Sequence, residues 1–338
     1  MTMTARAAPD AALPKPKTDL VPLALPFVLA LVLLPFVPFP TWVTLTVAGL
    51  AMGMMIFVMA SGLTLVFGLM HVLNFGHGAF ISVGAYAASF VLIALAGYTY
   101  ADSFWLNLVA LVPALLVAVL VSGLIGLVFE RVLIVPVYGQ HLKQILVTMG
   151  GLTVTEELLK AIWGPQAIPL PLPQGLRGSF VWGDIAVEKY RLLAVVVGAV
   201  IFAGLLLILN RTKIGLLIRA GVENSEMVEA LGYRITRLFV GVFMAGSALA
   251  GLGGVMWALY GEGVSASMGG NLMVLVFIVV IIGGLGSVSG CFLASLLVAL
   301  LANYAGFLVP KVALVSNILL LVAVLLWRPR GLYQVSSR

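Results

Sequence analysis

The chain has 338 residues, of which 62% are apolar and only 9% charged, with a formal net charge of +6. A soluble domain carries about 25% charged residues, and no soluble globule of this length can hide so much apolar side chain. Two stretches lack Asp, Glu, Lys and Arg altogether, 82 residues between Asp19 and Asp102 and 48 between Glu262 and Lys311; they exclude a cytosolic enzyme, a nucleic-acid binder and a disordered tail.

A membrane-crossing helix needs about 20 apolar residues. In chain order the candidates are 22–39, 43–69, 79–97, 104–129, 142–162, 190–209, 236–260, 271–284, 288–306 and 311–327, the eighth short enough to be a half-helix. The predicted fold is therefore an all-α polytopic membrane protein of about ten transmembrane or re-entrant helices. Residues 1–21 form a cytoplasmic N-terminal tail and 22–338 a single transmembrane domain. Lys15 and Lys17 precede the first segment as in a signal peptide, but Val37-Pro38-Phe39-Pro40 is no cleavage site, so an uncleaved span is expected. Pro22, Pro26, Pro35 and Pro38 predict that this span is kinked or partly peripheral.

Basic residues collect on cytoplasmic loops. The loop 210–237 holds Arg211, Lys213, Arg219, Arg234 and Arg237 and is placed in the cytoplasm. Counting spans outward puts both termini there too, with 98–103, 164–189 and 261–270 outside. Two five-span halves would then run in opposite senses, as in an inverted repeat. The positive balance thus reads as loop bias, with no nucleic acid implied.

Irregular backbone survives at membrane depth only when protein or a water-filled cavity surrounds it. The first Gly-rich interruption runs from Gly62 to Gly68 and on through His71, Asn74, Gly76, His77 and Gly78. Asn74, Gly76, His77 and Gly78 are candidates for lining a translocation pathway; a polar helix contact or a cytoplasmic turn explains them equally well. No metal site is expected, since His71 and His77 stand six apart with no Cys, Asp or Glu nearby. The lone Cys291 allows no disulfide within the chain.

In the fifth span Glu156 and Lys160 stand at i, i+4 near the outer end and are expected to pair. Glu130–Arg131 reads as an anchor at the cytoplasmic boundary. No Ser/His, paired-Asp or metal constellation is present to make a catalytic site, because the histidines lack an acidic neighbour in sequence.

In the cytoplasmic loop, Asn224 or Ser225 can cap a short helix, Glu226 suits its first turn and Gly232 can end it in the left-handed conformation. Met227, Ala230 and Leu231 share one face. Such a two-turn helix either lies on lipid headgroups or docks a cytoplasmic partner. The second interruption, Gly283-Gly284-Leu285-Gly286-Ser287-Val288-Ser289-Gly290, has neither the spacing nor the basic residue of a phosphate loop. Gly286 and Gly290 are expected to form a GxxxG helix-packing face, as Gly49 and Gly53 do in the second span. Gly283, Gly284 and Gly286 join the pathway candidates.

Four stretches together resemble the membrane permease subunits of bacterial ABC importers of the branched-chain amino acid type: Gly62 to Tyr86; Phe129 to Pro136 with Ile145 to Gly150; Lys213 to Ile235; and Ile281 to Gly290 with Arg328 to Leu332. The resemblance covers Gly49 to Tyr333. It implies a multi-pass protein of the bacterial inner (plasma) membrane whose 22–338 segment is a permease domain, working with a second permease subunit, two cytoplasmic ATP-binding subunits and a periplasmic solute-binding protein. The ATPases would dock on Glu223, Asn224, Glu226, Met227, Glu229, Ala230, Leu231 and Gly232. This chain would bind no cofactor, ATP and Mg belonging to the partners, and it contains no GxxxxGK[ST] loop. The implied substrate is an amino acid, branched-chain by default, or a related small polar organic solute. Asn74 to Gly78 is more similar to the family's first permease type, the length and added first span to its second, and the Glu156–Glu157 pair departs from the uncharged polar residues that the resemblance implies there. The competing function is a stand-alone secondary transporter, which would need a buried carboxylate in its core spans; the two charge-free stretches offer none.

Overall fold

Apolar runs become helices here for a reason stronger than propensity: in hydrocarbon every backbone polar group must be satisfied within its own segment. The computed structural model describes residues 21–170, 172–223 and 225–333. Its helices are α1 (Val21–Leu33), α2 (Phe39–Met70), α3 (His77–Ala94), α4 (Ala96–Thr99), α5 (Phe104–Phe129), α6 (His141–Trp163), α7 (Lys189–Arg211), α8 (Lys213–Glu223), α9 (Ser225–Ala230), α10 (Ile235–Tyr260), α11 (Met268–Gly283), α12 (Val288–Leu308) and α13 (Pro310–Trp327). Among the described residues α2, α3, α5, α7, α10 and α12 are long and apolar enough to cross a membrane, and α1, α11 and α13 are shorter apolar helices. α6 has the length, but every 18-residue window in it holds at least three charged residues. The all-α polytopic expectation holds, and the spans fall close to the predicted ranges.

α2 is the axis of the bundle. It packs against α10, α12, α7 and α11, while α3 fills the angle between α10 and α5. The core around it is aromatic and aliphatic, with Phe57, Met55, Ile56, Phe80 and Phe243 fully buried. Phe57 sits edge-on to Phe202 and Phe292, which stack on each other with centroids 3.8 Å apart.

Glycine sets the closest crossings. A Cβ on Gly62 would strike the backbone of Gly246, and one on Gly84 the backbone of Gly251. Gly49 and Gly53 form the small-residue face anticipated for the second span: a Cβ there would come within 2.8 Å of Leu300 and 3.0 Å of Leu296 on α12. Gly286 does not share a helical face with Gly290. It lies before α12 with φ +84°, and Gly290 packs instead on Gly283.

Three further expectations change. The first glycine-rich interruption is narrower, because Gly62 to Gly68 belong to α2 and helix ends only at His71, a left-handed cap (φ 52°) whose N–H bonds to Phe67 O. The 210–237 loop contains two helices, α8 and α9, rather than one. The segments 164–189 and 261–270 contain strands: β2 (Ser179–Trp182) and β3 (Ile185–Glu188) make a hairpin about Gly183-Asp184, while β1 (Ile168–Pro169) pairs with β4 (Gly263–Val264). The β1–β4 pair ties together two loops that the charge count assigns to one side. The prolines of the first segment leave a 13-residue α1 with Pro26 inside it, followed by a 3-10 turn over 34–36, and Trp42 Nε1 donates to Ala30 O at 2.7 Å.

Gly62→Val should lower stability by about 1–3 kcal/mol or prevent folding, because backbone cannot yield to the new carbon. Gly97→Ala, where nothing lies within 4 Å, should fold normally. Thermal unfolding of both in detergent checks this.

Candidate translocation site and docking loop

His77 Nε2 lies 2.9 Å from Met59 O. A carbonyl only accepts, so Nε2 carries the hydrogen, and in the neutral ring that apolar burial favours Nδ1 is then a bare acceptor. Met59 is eleven residues above the end of α2 at Met70, about 16 Å at 1.5 Å per residue. Between Met70 and His77 the chain therefore climbs back beside α2 as a non-helical segment at membrane depth. Phe75 confirms the level: its N–H donates to Thr148 Oγ1 at 3.2 Å, and its ring stands 4.5 Å from that of Phe277 in α11.

This segment concentrates unpaired polar atoms. Asn74 and His77 are fully buried, yet the Asn74 amide nitrogen and oxygen and His77 Nδ1 have no hydrogen-bond partner. On α6, one turn from Thr148, Gln144 is buried with Oε1 unpaired, while the Thr148 hydroxyl donates to Gln144 O at 2.7 Å. An unpaired polar group in an apolar interior costs roughly 1–3 kcal/mol. The arrangement offers an amide donor and amide and imidazole acceptors to a polar solute.

The candidate residues divide into two groups. Asn74, Gly76, His77 and Gly78 stay together: a Cβ on Gly76 would lie 2.9 Å from the Phe129 ring and 3.0 Å from Thr148 O, and Gly78 abuts Gly269 of α11. Gly283, Gly284 and Gly286 lie lower, at the level of Gly68, where a Cβ would come within 2.9 Å of Gly286 Cα. There the chain after α13 returns as a strap. Leu332 N–H donates to Ile282 O at 2.8 Å and Tyr333 N–H to Gly283 O at 3.1 Å. Gly284 (φ +97°) and Gly331 (φ +82°) meet face to face, an approach and a backbone conformation that only glycine permits. Two stretches that the sequence singles out separately, Ile281 to Gly290 and Arg328 to Leu332, are thus one structural unit.

Two charge expectations are corrected. Lys160 pairs with Glu157 at 2.7 Å rather than with Glu156, whose Oε1 faces Gly270 at the start of α11. The i, i+3 spacing reaches as well as i, i+4. Glu130 is no surface anchor: its side chain is 3% exposed in the helical run from Phe104 to Val137, with Oε2 ion-paired to Arg131 Nε at 3.6 Å but without a hydrogen bond. Sequence reasoning missed Gln144 and Thr148, although two polar side chains four apart in an apolar span were a readable signal.

In the 210–237 loop α9 ends as expected. Gly232 (φ +87°) closes a Schellman motif, with Gly232 N–H to Glu229 O at 2.8 Å and Tyr233 N–H to Val228 O at 3.3 Å. Val228 is buried, while Met227, Glu229, Ala230 and Leu231 are exposed, Leu231 by 71%. Asn224 and the side chains of Glu223 and Glu226 lie outside the described residues. The preceding α8 touches the foot of α2, where a Cβ on Gly221 would sit 3.8 Å from Leu69 Cδ1.

Residues 45–326 match the family model described as the branched-chain amino acid transport system permease component. The chain belongs to this family. As a permease with multiple apolar helices, it is a multi-pass protein of the bacterial inner membrane. Among its relatives is the high-affinity branched-chain amino acid transport system permease protein BraD of Pseudomonas aeruginosa, 28% identical over 295 residues that cover 85% of this chain and 94% of the relative. The permease protein LivH of Escherichia coli is 24% identical over 291 residues, 84% and 92% of the two chains. A probable permease protein LivM of Methanocaldococcus jannaschii is 25% identical over 260 residues, 69% and 73%. No solved structure matches the permease.

Replacing Asn74 by Leu separates packing from transport. The variant should be as stable as the parent or more stable by about 1 kcal/mol, since two buried unpaired atoms disappear, and its solute uptake should fall at least tenfold. Unfolding temperature and uptake measured on the same preparation check both.

Proposed function

We propose that the chain is a permease subunit of an ATP-driven importer of branched-chain amino acids, paired with a second permease and fed by a periplasmic binding protein. The single observation that carries the ATP-driven part is α9. A short helix capped at both the sequence and the structural level presents Leu231 outward from a loop rich in arginine, in a chain with no nucleotide-binding loop of its own. Two ATPase subunits, holding ATP and Mg, would each engage such a helix through residues 223–232. The relatives' names support the substrate class. The LivH-named relatives align over more of this chain than the LivM-named one, which supports the first permease type with a LivM-like partner. The charge distribution supports cytoplasmic termini.

Transmission would run through contacts already in place. Movement of α9 passes through α8 to Leu69, and the foot of α2 carries Gly68 against Gly286 and leads into the 71–76 segment. Asn74, Gly76, His77 and Gly78 would line the pathway, and Gly283, Gly284 and Gly286 would form the hinge below it. Glu130, a buried carboxylate in a span, is the one observation on the side of ion-coupled uptake by the chain alone. ATP dependence decides between the two.

In vesicles carrying the assembled importer, Leu231→Asp with Gly232→Val should abolish ATPase association and reduce ATP-driven leucine uptake more than tenfold, with membrane insertion unchanged. Retained ATPase co-purification and uptake would remove α9 from the docking role. Uptake driven by a proton gradient without ATP, lost in Glu130→Gln, would replace the importer with a secondary transporter.

A further inference from the structure

Beneath α6 lies a cleft of about 630 Å³ walled by α3, α5 and α6. It follows α6 from Val147 to Trp163, sixteen residues or about 24 Å. The mouth opens between α5 and α6, and its rim is Val128, Val132, Val154, Leu158 and Ile162, all more than half exposed. α6 meets the bundle along its length: Thr148 bonds to Phe75 below, a Cβ on Gly151 would lie 2.7 Å from Leu133 Cδ1, Glu156 faces Gly270, and the Trp163 ring lies 5.2 Å from that of Tyr86 above.

We propose that this cleft is a lipid site, taking one acyl chain of a membrane phospholipid through the mouth between α5 and α6. The Tyr86 hydroxyl, buried on the wall with no partner, donates to the ester carbonyl of that lipid. Three alternatives fail on physical grounds. An empty apolar void of this volume would cost more than the net stability of a folded domain. An amino acid zwitterion finds no charged group on these walls, and the Thr155 hydroxyl there already bonds to Gly151 O at 2.8 Å. A helix of a second subunit would need small residues along the mouth to approach closely, and Gly150 and Gly151 offer them only at its lower end, the rest of the rim being Val, Leu and Ile. The length fits as well: one leaflet of hydrocarbon is about 15 Å deep, so a chain entering beside Tyr86 and Trp163 ends within the cleft. Trp163 is the amphipathic ring expected at such an interface. The lipid would act as a prop that holds α6, and with it Thr148, at its distance from α3.

The test is native mass spectrometry of the assembled importer purified in mild detergent with phosphatidylethanolamine. The wild-type subunit should retain one phospholipid per copy. Ala87→Leu with Val121→Phe, which fill the cleft, should lose it while the unfolding temperature holds or rises. Tyr86→Phe should release it at least tenfold faster. No retained lipid in the wild type, or equal retention in the filled variant, overturns the proposal, as does crosslinking of the rim residue Leu158 to the second permease. Should the filled variant not fold, one equivalent of brominated-chain phosphatidylcholine should quench the emission that Trp163→Phe removes. Unquenched Trp163 emission would equally overturn it.

Discussion

Helices in a bilayer gain nothing from hiding apolar surface from lipid, so their association rests on how closely their backbones can approach. In this permease that approach is set by glycine meeting glycine. Gly62 with Gly246, Gly84 with Gly251, Gly78 with Gly269 and Gly283 with Gly290 bring α2, α3, α10, α11 and α12 together at distances that no side chain would allow. Dispersion between closely apposed atoms then does what the hydrophobic effect does in water. The buried aromatic cluster around Phe57 fills the space between these contacts rather than creating them.

The same contacts explain why an extended segment persists at membrane depth. The 71–76 stretch cannot face lipid, since its amides would be unpaired there. It is enclosed by α2 through the His77 bond to Met59, by α6 through Thr148 and by α11 through Phe277. Those walls are positioned by the glycine crossings on either side of it. Phe75 N–H is thus met by Thr148 Oγ1 while the Asn74 amide and His77 Nδ1 find no partner, and this contrast distinguishes the segment from an ordinary tight turn.

Much of the fold was legible from residue type. α5 was predicted to its residue bounds, because charge-free apolar runs between Gly, Pro and charged residues define a span's ends with little ambiguity. The capped end of α9 was legible because Gly232 has one geometric use there. Other features depend on which residues meet across the bundle, and a single chain does not state this. Gly62 and Gly68 looked like breaks because their partners, Gly246 and Gly286, lie far along the sequence. Glu130 looked like a boundary residue because the turn of π-helix that carries the helical run on to Val137 leaves no mark in composition. Lys160 had two acids within reach, and the packing of Glu156 against Gly270 chose between them. Of the candidate pathway, the polar residues of the break could be named beforehand; Gln144 and Thr148 face them only once α6 is in place.

The strap after α13 also imposes an order on assembly. Ile282 and Gly283 present carbonyls at the foot of α11 that stay unpaired by protein until Leu332 and Tyr333 arrive, two spans later in the chain. Translation runs from the N-terminus, so the bundle must insert α12 and α13 before its inner edge can be closed. Until then Gly68 has its contact with Gly286, but Gly284 lacks the support of Gly331. The joint that would carry motion from the docking loop is therefore the last part of the molecule to become rigid.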